Sequence, residues 1–206
     1  YLGKEVVVLF TLEDFAVFKA TTLATRMHLI REQLDPKFAE AATVIVPLLQ
    51  TDQQAIYSHI AKHQRRYRNP PPNTWVAFST SSRGYKMVPH LALGFWDDRL
   101  FLWLSVLRES KPASRVLTGI TAMATTLPGK WQVAGEHTDK AMLPLTSANL
   151  ATVGARFQTI KKAEFLLGKV YLADDPIWAD PVRLWQDIQQ RVVALKPMFD
   201  QLVQNV

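Results

Sequence analysis

The side chains best suited to chemistry in this chain are its 5 histidines and one run of bases. His59 and His63 stand four residues apart, a spacing that on a helix sets both rings on one side and can hold a metal. Zinc hydrolases with that spacing place a glutamate beside the first histidine to activate water. Here Ile60 occupies the place, so that chemistry is excluded. Cysteine is absent, which removes thiolate zinc sites, disulfides and cysteine nucleophiles together. No metal and no cofactor are expected.

An anion is the more coherent ligand. Between Asp52 and Asp97 there is no Asp or Glu, yet the segment holds Lys62, Arg65, Arg66, Arg68, Arg83 and Lys86, with His59, His63 and His90. Without those six cations the chain balances at 18 basic and 18 acidic residues, so the net charge of +6 belongs to one stretch. Such segregation creates a local positive potential that attracts anions. The bland alternative is a helix end carrying cations to suit its dipole, followed by solvated loop residues.

Two elements are expected to position these groups. Asp52 caps a helix whose apolar stripe is Ile56, Ile60, His63 and Tyr67, and on which His59, Lys62 and Arg66 form a basic stripe. The adjoining strand, Tyr85–Trp96, alternates Lys86, His90, Gly94 and Trp96 on one face with Tyr85, Met87, Leu91, Leu93 and Phe95 on the other. The second set reads as core. The first suits a shallow site in which arginine clamps a phosphate and Trp96 stacks on a base, or else an ordinary solvated sheet face. His137 and Lys161, both in loops, are candidates to extend it. No nucleophile elbow, phosphate loop or dinucleotide fingerprint occurs, and Ser79 to Ser82 reads as a hairpin turn.

The remaining elements follow from periodicity. Thr11 to Asp14 opens a short helix burying Phe15 and Phe18, and residues 22–34 form a helix that Pro36 breaks before a second one ends near Leu49. Asn69-Pro70-Pro71-Pro72-Asn73 is a firm stop. Residues 74–80, 85–96 and 100–108 read as an antiparallel meander joined by short turns. A helix over 116–127, a strand over 131–134, a helix over 148–160 and a strand over 163–172 come next. The C-terminal helix, from Pro181, carries Leu184, Trp185, Ile188, Val192 and Leu195 on one face, with a kink or split at Pro197.

Runs of strands bounded by helices, without βαβ alternation, give a single α+β domain over 1–206, a mainly antiparallel central sheet with helices packed against it. Residues 1–10 are expected as an N-terminal extension or an edge strand, since the Val6 to Phe10 run is too short to span a bilayer. A cytoplasmic protein without a membrane partner is expected.

Several phrases are distinctive together: Ile60-Ala-Lys-His63-Gln-Arg65-Arg66, Asn69-Pro-Pro71, Thr74-Trp-Val-Ala-Phe78, Arg83-Gly-Tyr-Lys86 and Pro89-His90 leading to Gly94-Phe-Trp96. With Leu12-Glu-Asp-Phe15, His137-Thr138 and Lys161-Lys-Ala-Glu164, they resemble the YktB-like family of uncharacterised proteins from Gram-positive bacteria across nearly the whole chain. The resemblance implies a compact α+β domain of unknown function and brings no catalytic residue with it.

Three functions stay open on the residues. The leading one is a module binding an anionic ligand, nucleic acid or a phosphorylated small molecule, through the acid-free face. The second is an enzyme on an anionic substrate, with Lys86 and Arg66 positioning it and His90 or His137 moving protons. The third is a protein-interaction scaffold using the outer side of the C-terminal helix. The oligomeric state is not encoded in these patterns.

Overall fold

The computed structural model describes residues 10–110 and 117–204, so the extension or edge strand expected over 1–10 lies, apart from Phe10, outside the described residues. Phe10 is buried among Phe38, Phe95 and Trp185, ring centroids 5.5 to 6.2 Å away. A 3-10 helix follows over Leu12–Lys19. The Asp14 carboxylate accepts the Thr11 backbone N–H at 2.8 Å, fixing the helix start, and Phe15 and Phe18 are buried as the sequence implies.

Helix α1 covers Leu23–Leu29, continues through one π-helical turn over Ile30–Leu34, and runs on as α2 over Asp35–Leu49. The break expected at Pro36 does not occur. Pro36 falls in the first turn of α2, where its missing N–H leaves no bond unmade, and the wider π turn before it relieves the ring. Phe38, Ala41, Ile45 and Leu49 form the buried stripe of α2.

The helix expected after Asp52 is instead a strand and a loop. Strand β1 covers Tyr57–Ile60 and pairs antiparallel with β2, Asn73–Ser79, from Tyr57 opposite Ser79 to Ile60 opposite Val76. His59 and His63 therefore do not share a helix side: His59 lies on the strand, and His63 turns the chain away at φ 51°. Helical spacing had suggested one apolar stripe, but Ile56 and Ala61 are buried while Tyr67 is 85% exposed. Long-range pairing with β2 satisfies the backbone here, and local spacing carries no trace of that partner.

Strands β3 (His90–Trp96) and β4 (Arg99–Val106) complete the expected meander. Helix α3 (Leu117–Ala124), strands β5 (Gln132–Ala134) and β6 (Leu143–Pro144), helix α4 (Ser147–Thr159) and strand β7 (Phe165–Leu172) follow. Helix α5, Pro181–Val203, runs through Pro197 as one element. The sheet has seven strands in the order β1-β2-β3-β4-β7-β5-β6, with every neighbouring pair antiparallel. The molecule is α+β, as the sequence predicts.

The two faces of the sheet differ. One carries Val76, Phe78, Leu91, Leu93, Phe95, Leu102, Leu104 and Leu167, packed under α2 and α5 into the main core. The apolar stripe of α5, Leu184 through Leu202, is wholly buried there, and of the large apolar side chains on that helix only Val182 and Val193 stand exposed. The opposite face carries a smaller cluster of Ala92, Phe101, Trp103, Ala134, Leu166 and Val170, to which no described helix contributes.

Candidate functional site

Strand alternation delivers a pocket to that helix-free face. Rows of residues cross it in register: Trp75, Gly94, Phe101 and Val170 in one, Ala77, Ala92, Trp103 and Gly168 in the next, Ser79, His90, Ser105 and Leu166 in a third. Small residues alternate with large ones so that the rings lie against the sheet. A Cβ on Gly94 would come within 2.5 Å of Trp75 Cβ and 2.6 Å of Phe101 Cζ; one on Gly168 would reach 1.8 Å from the Leu102 carbonyl oxygen. Only glycine fits at either place.

Two loops wall the pocket. The β2–β3 loop does not extend β3 back to Tyr85 as expected. Pro89 cannot donate to a ladder, and Gly84 at φ 148° turns the chain back over the sheet. Tyr85 thereby leaves the core face assigned to it, accepts the Trp75 indole N–H at 3.1 Å, and sets its ring 4.8 Å from His90. Met87, also expected in the core, is 67% exposed. On the other side the loop after β5 brings His137 and Asp139, and Trp96 and Asn73 close the far end. The cavity between them is small, about 40 Å³ open to the centre of a water molecule, on the order of three waters.

The polar groups are held in defined states. His90 is 3% exposed, and its Nδ1 donates to the Val88 carbonyl at 3.1 Å. Burial pushes its pKa down to about 4, so the ring is neutral at neutral pH. His63, half-buried behind Trp75 with its ring edge-on at 5.6 Å, is likewise pushed to about 4, first by its loss of solvent and then by the nearby Arg66 charge. Its Nε2 pairs with the Thr74 hydroxyl at 3.1 Å. His59 donates from Nε2 to the Ser81 carbonyl at 2.8 Å and lies 6.1 Å from the Tyr85 ring. Burial would raise the pKa of Glu164, 3% exposed, but its bond to His137 Nδ1 at 2.6 Å holds it below the usual carboxylate range. Lys140 stands over the Trp96 ring at 5.5 Å and pairs with Asp97 and Asp98.

Of the residues singled out in the sequence, His90, Trp96 and His137 line the pocket, and His59 and His63 support it one ring behind. Lys62 lines a separate groove with Arg31 and Asp35 beside β1. Arg65 and Arg66 are exposed on the β1–β2 loop, Lys86 on the β2–β3 loop and Lys161 after α4; none lines the pocket. Lys86 does not share a sheet face with His90, because the strand begins only at His90. Sequence reasoning missed Trp75, Tyr85, Trp103 and Glu164. Trp75 and Trp103 sit in apolar strands whose two faces have similar hydropathy, and Tyr85 is placed by a loop that leaves no periodic signal. Glu164 left a signal: a lone acid opening an otherwise apolar strand.

Among the described residues no group of three or more His, Asp or Glu is placed to hold a metal ion, and no helix is long and apolar enough to cross a membrane. Residues 10–199 match the model of a family described as a domain of unknown function, DUF1054. The chain is 41% identical over 194 residues to a UPF0637 protein of Levilactobacillus brevis, covering 93% of this chain and 97% of that one. It is 37% identical over 196 residues to a UPF0637 protein of Latilactobacillus sakei, covering 93% and 98%. A UPF0637 protein of Enterococcus faecalis is 36% identical over 198 residues, covering 93% and 96%.

Proposed function

The chain belongs to the DUF1054 family, and from the geometry of its pocket we propose that it is a binding module for a small phosphorylated ligand that carries a flat ring. The observation that carries this reading is the junction of an aromatic slot with the acid-free segment. The slot presents Trp75, Tyr85, Trp96 and Trp103, whose faces favour stacking with a ring. Tyr85 and Trp75 belong to the same acid-free segment that supplies Arg65, Arg66 and Lys86 to the solvent.

The basic side chains reach outward rather than into the slot, so the ring and the charge of the ligand are met by different groups. Arg66 lies close enough to His63 for its charge to act on that ring, which rests on Trp75. With His63 and His90 both neutral, the attraction for a phosphate comes from Arg66, Arg65 and Lys86, exposed on the β1–β2 and β2–β3 loops. The cavity itself holds only about three waters, so the ring stacks across its mouth on the half-buried Trp75, Tyr85 and Trp96 instead of entering it.

The test is tryptophan fluorescence during titration with adenosine 5′-monophosphate, adenosine and inorganic phosphate. The monophosphate is expected to saturate and to weaken between about 50 mM and about 200 mM salt, the adenosine to bind more weakly and without that salt dependence. Arg66→Ala with Lys86→Ala removes the difference between the two. Absence of binding by both at low salt, or binding of a single-stranded oligonucleotide in preference to the monophosphate, contradicts the reading.

A further inference from the structure

Ligand binding alone leaves one arrangement in the pocket wall unused. Glu164 directly precedes β7 and is 3% exposed, yet it is ionised. A single oxygen, Oε2, accepts both the backbone N–H of His137 at 2.8 Å and the ring Nδ1 of His137 at 2.6 Å. A carboxylate can only accept, so Nδ1 carries the proton and Nε2 of the neutral ring carries the lone pair. The His137 side chain keeps about a third of its surface exposed, 36%, on the pocket wall.

Burying a carboxylate is costly, and a surface ion pair would fix this loop without that cost. What burial adds is direction. The backbone and the ring of one residue are locked to one oxygen, which sets the tautomer and the orientation of the imidazole. The other titratable groups near the dyad are His90 on β3, held neutral; Arg108 after β4, whose charge favours ionised Glu164; Glu136 and Asp139 on the same loop; and Arg156 on α4, packed against Gly135. None of them has a hydrogen bond to the His137 ring in the described contacts.

We propose that His137, oriented by Glu164, is a general base of the pocket. Its Nε2 takes the proton from a water or ligand hydroxyl seated against the aromatic floor. The imidazolium so formed is stabilised by the Glu164 carboxylate; the oxygen bonds to the phosphorus of the ligand's phosphate ester as the P–O bond to the ester's alcohol breaks, and Nε2 returns its proton to that alkoxide, which leaves the ring neutral again. Glu164 is a positioning residue in this step. The proposal rests on the pocket being a ligand site, but its test does not use the ligand.

The test is carbethoxylation by diethylpyrocarbonate, followed residue by residue by mass spectrometry across the range of about pH 5 to about pH 9. The exposed His28 on α1 is an internal reference for an unassisted imidazole. His137 is expected to react several-fold faster than His28, and a long-range ¹H–¹⁵N spectrum at neutral pH is expected to place its proton on Nδ1. Glu164→Gln is expected to bring the His137 rate to that of His28 and to remove its preference for the Nδ1 proton. A His137 that reacts no faster than His28 in the unaltered protein, or whose proton sits on Nε2, overturns the proposal, and neither result depends on the variant folding. Should adenosine monophosphate fail to bind while His137 stays fast, the ligand reading falls and the base remains.

Discussion

His90 shows how much of the site is decided by single residues. Burial outweighs the backbone hydrogen bonds of the His90 ring to Val88 and Tyr85, and its folded pKa near 4 lies well below its ordinary 6.5. The unfolded chain therefore binds a proton between those values that the native protein refuses. Stability is unaffected by His90 above about pH 6.5 and falls as the pH drops from there toward 4. His63 acts in the same direction, and so does Glu164, whose depressed pKa stabilises the fold above the ordinary carboxylate range and ceases to as pH falls through its native value. Urea unfolding at about pH 7.5 and about pH 4.5 is expected to differ by on the order of 3 kcal/mol from His90 alone, and His90→Gln to flatten that difference. Arg26 makes a second case. Its guanidinium, 8% exposed, donates to the carbonyls of Phe18, Ala20 and Pro71 at 2.6 to 3.1 Å, tying the 3-10 helix to the β1–β2 loop, with Asp97 acting on it only through space. Arg26→Ala orphans those carbonyls and is expected to cost about 3 kcal/mol in denaturant unfolding.

The strands β2, β3, β4 and β7 form the floor of the pocket, and their glycines set its depth. Gly94→Ala forces a methyl into Trp75 and Phe101 and is expected to destabilise by about 1–3 kcal/mol while weakening any ligand that stacks on those rings; equal stability and equal affinity would contradict the packing described. This element was legible in the sequence, and others were not. The meander announced itself through short turns and runs of β-branched and aromatic residues, and α4 and α5 through their periodic stripes. Strand β1 was read as a helix because four residues on a sheet edge draw their hydrogen bonds from Ser79 to Val76, some twenty residues away. The pocket was half legible for a related reason. His90 and Trp96 alternate correctly on β3, but the Tyr85 that covers them depends on a loop fold set by Gly84 and Pro89 and not by any strand period. For the cations, charge segregation locates the segment but not the direction in which each side chain points.

At the scale of the molecule the organising fact is sidedness. Helices α2 and α5 cover one face of the sheet, and the molecule's own loops wall a slot on the other. The six tryptophans divide along that line. Trp75, Trp96 and Trp103 line the slot, whereas Trp178 and Trp185 are in the main core and Trp131 stacks beneath Arg191 with its centroid 4.6 Å from the guanidinium carbon. The division makes the central claim, that the helix-free face is the functional one, open to a single measurement: the indole ¹H–¹⁵N resonances of the protein titrated with adenosine 5′-monophosphate. The account predicts saturable shifts at Trp75, Trp96 and Trp103 with Trp131, Trp178 and Trp185 unmoved; shifts confined to the second three, or none at any of the six, would contradict it.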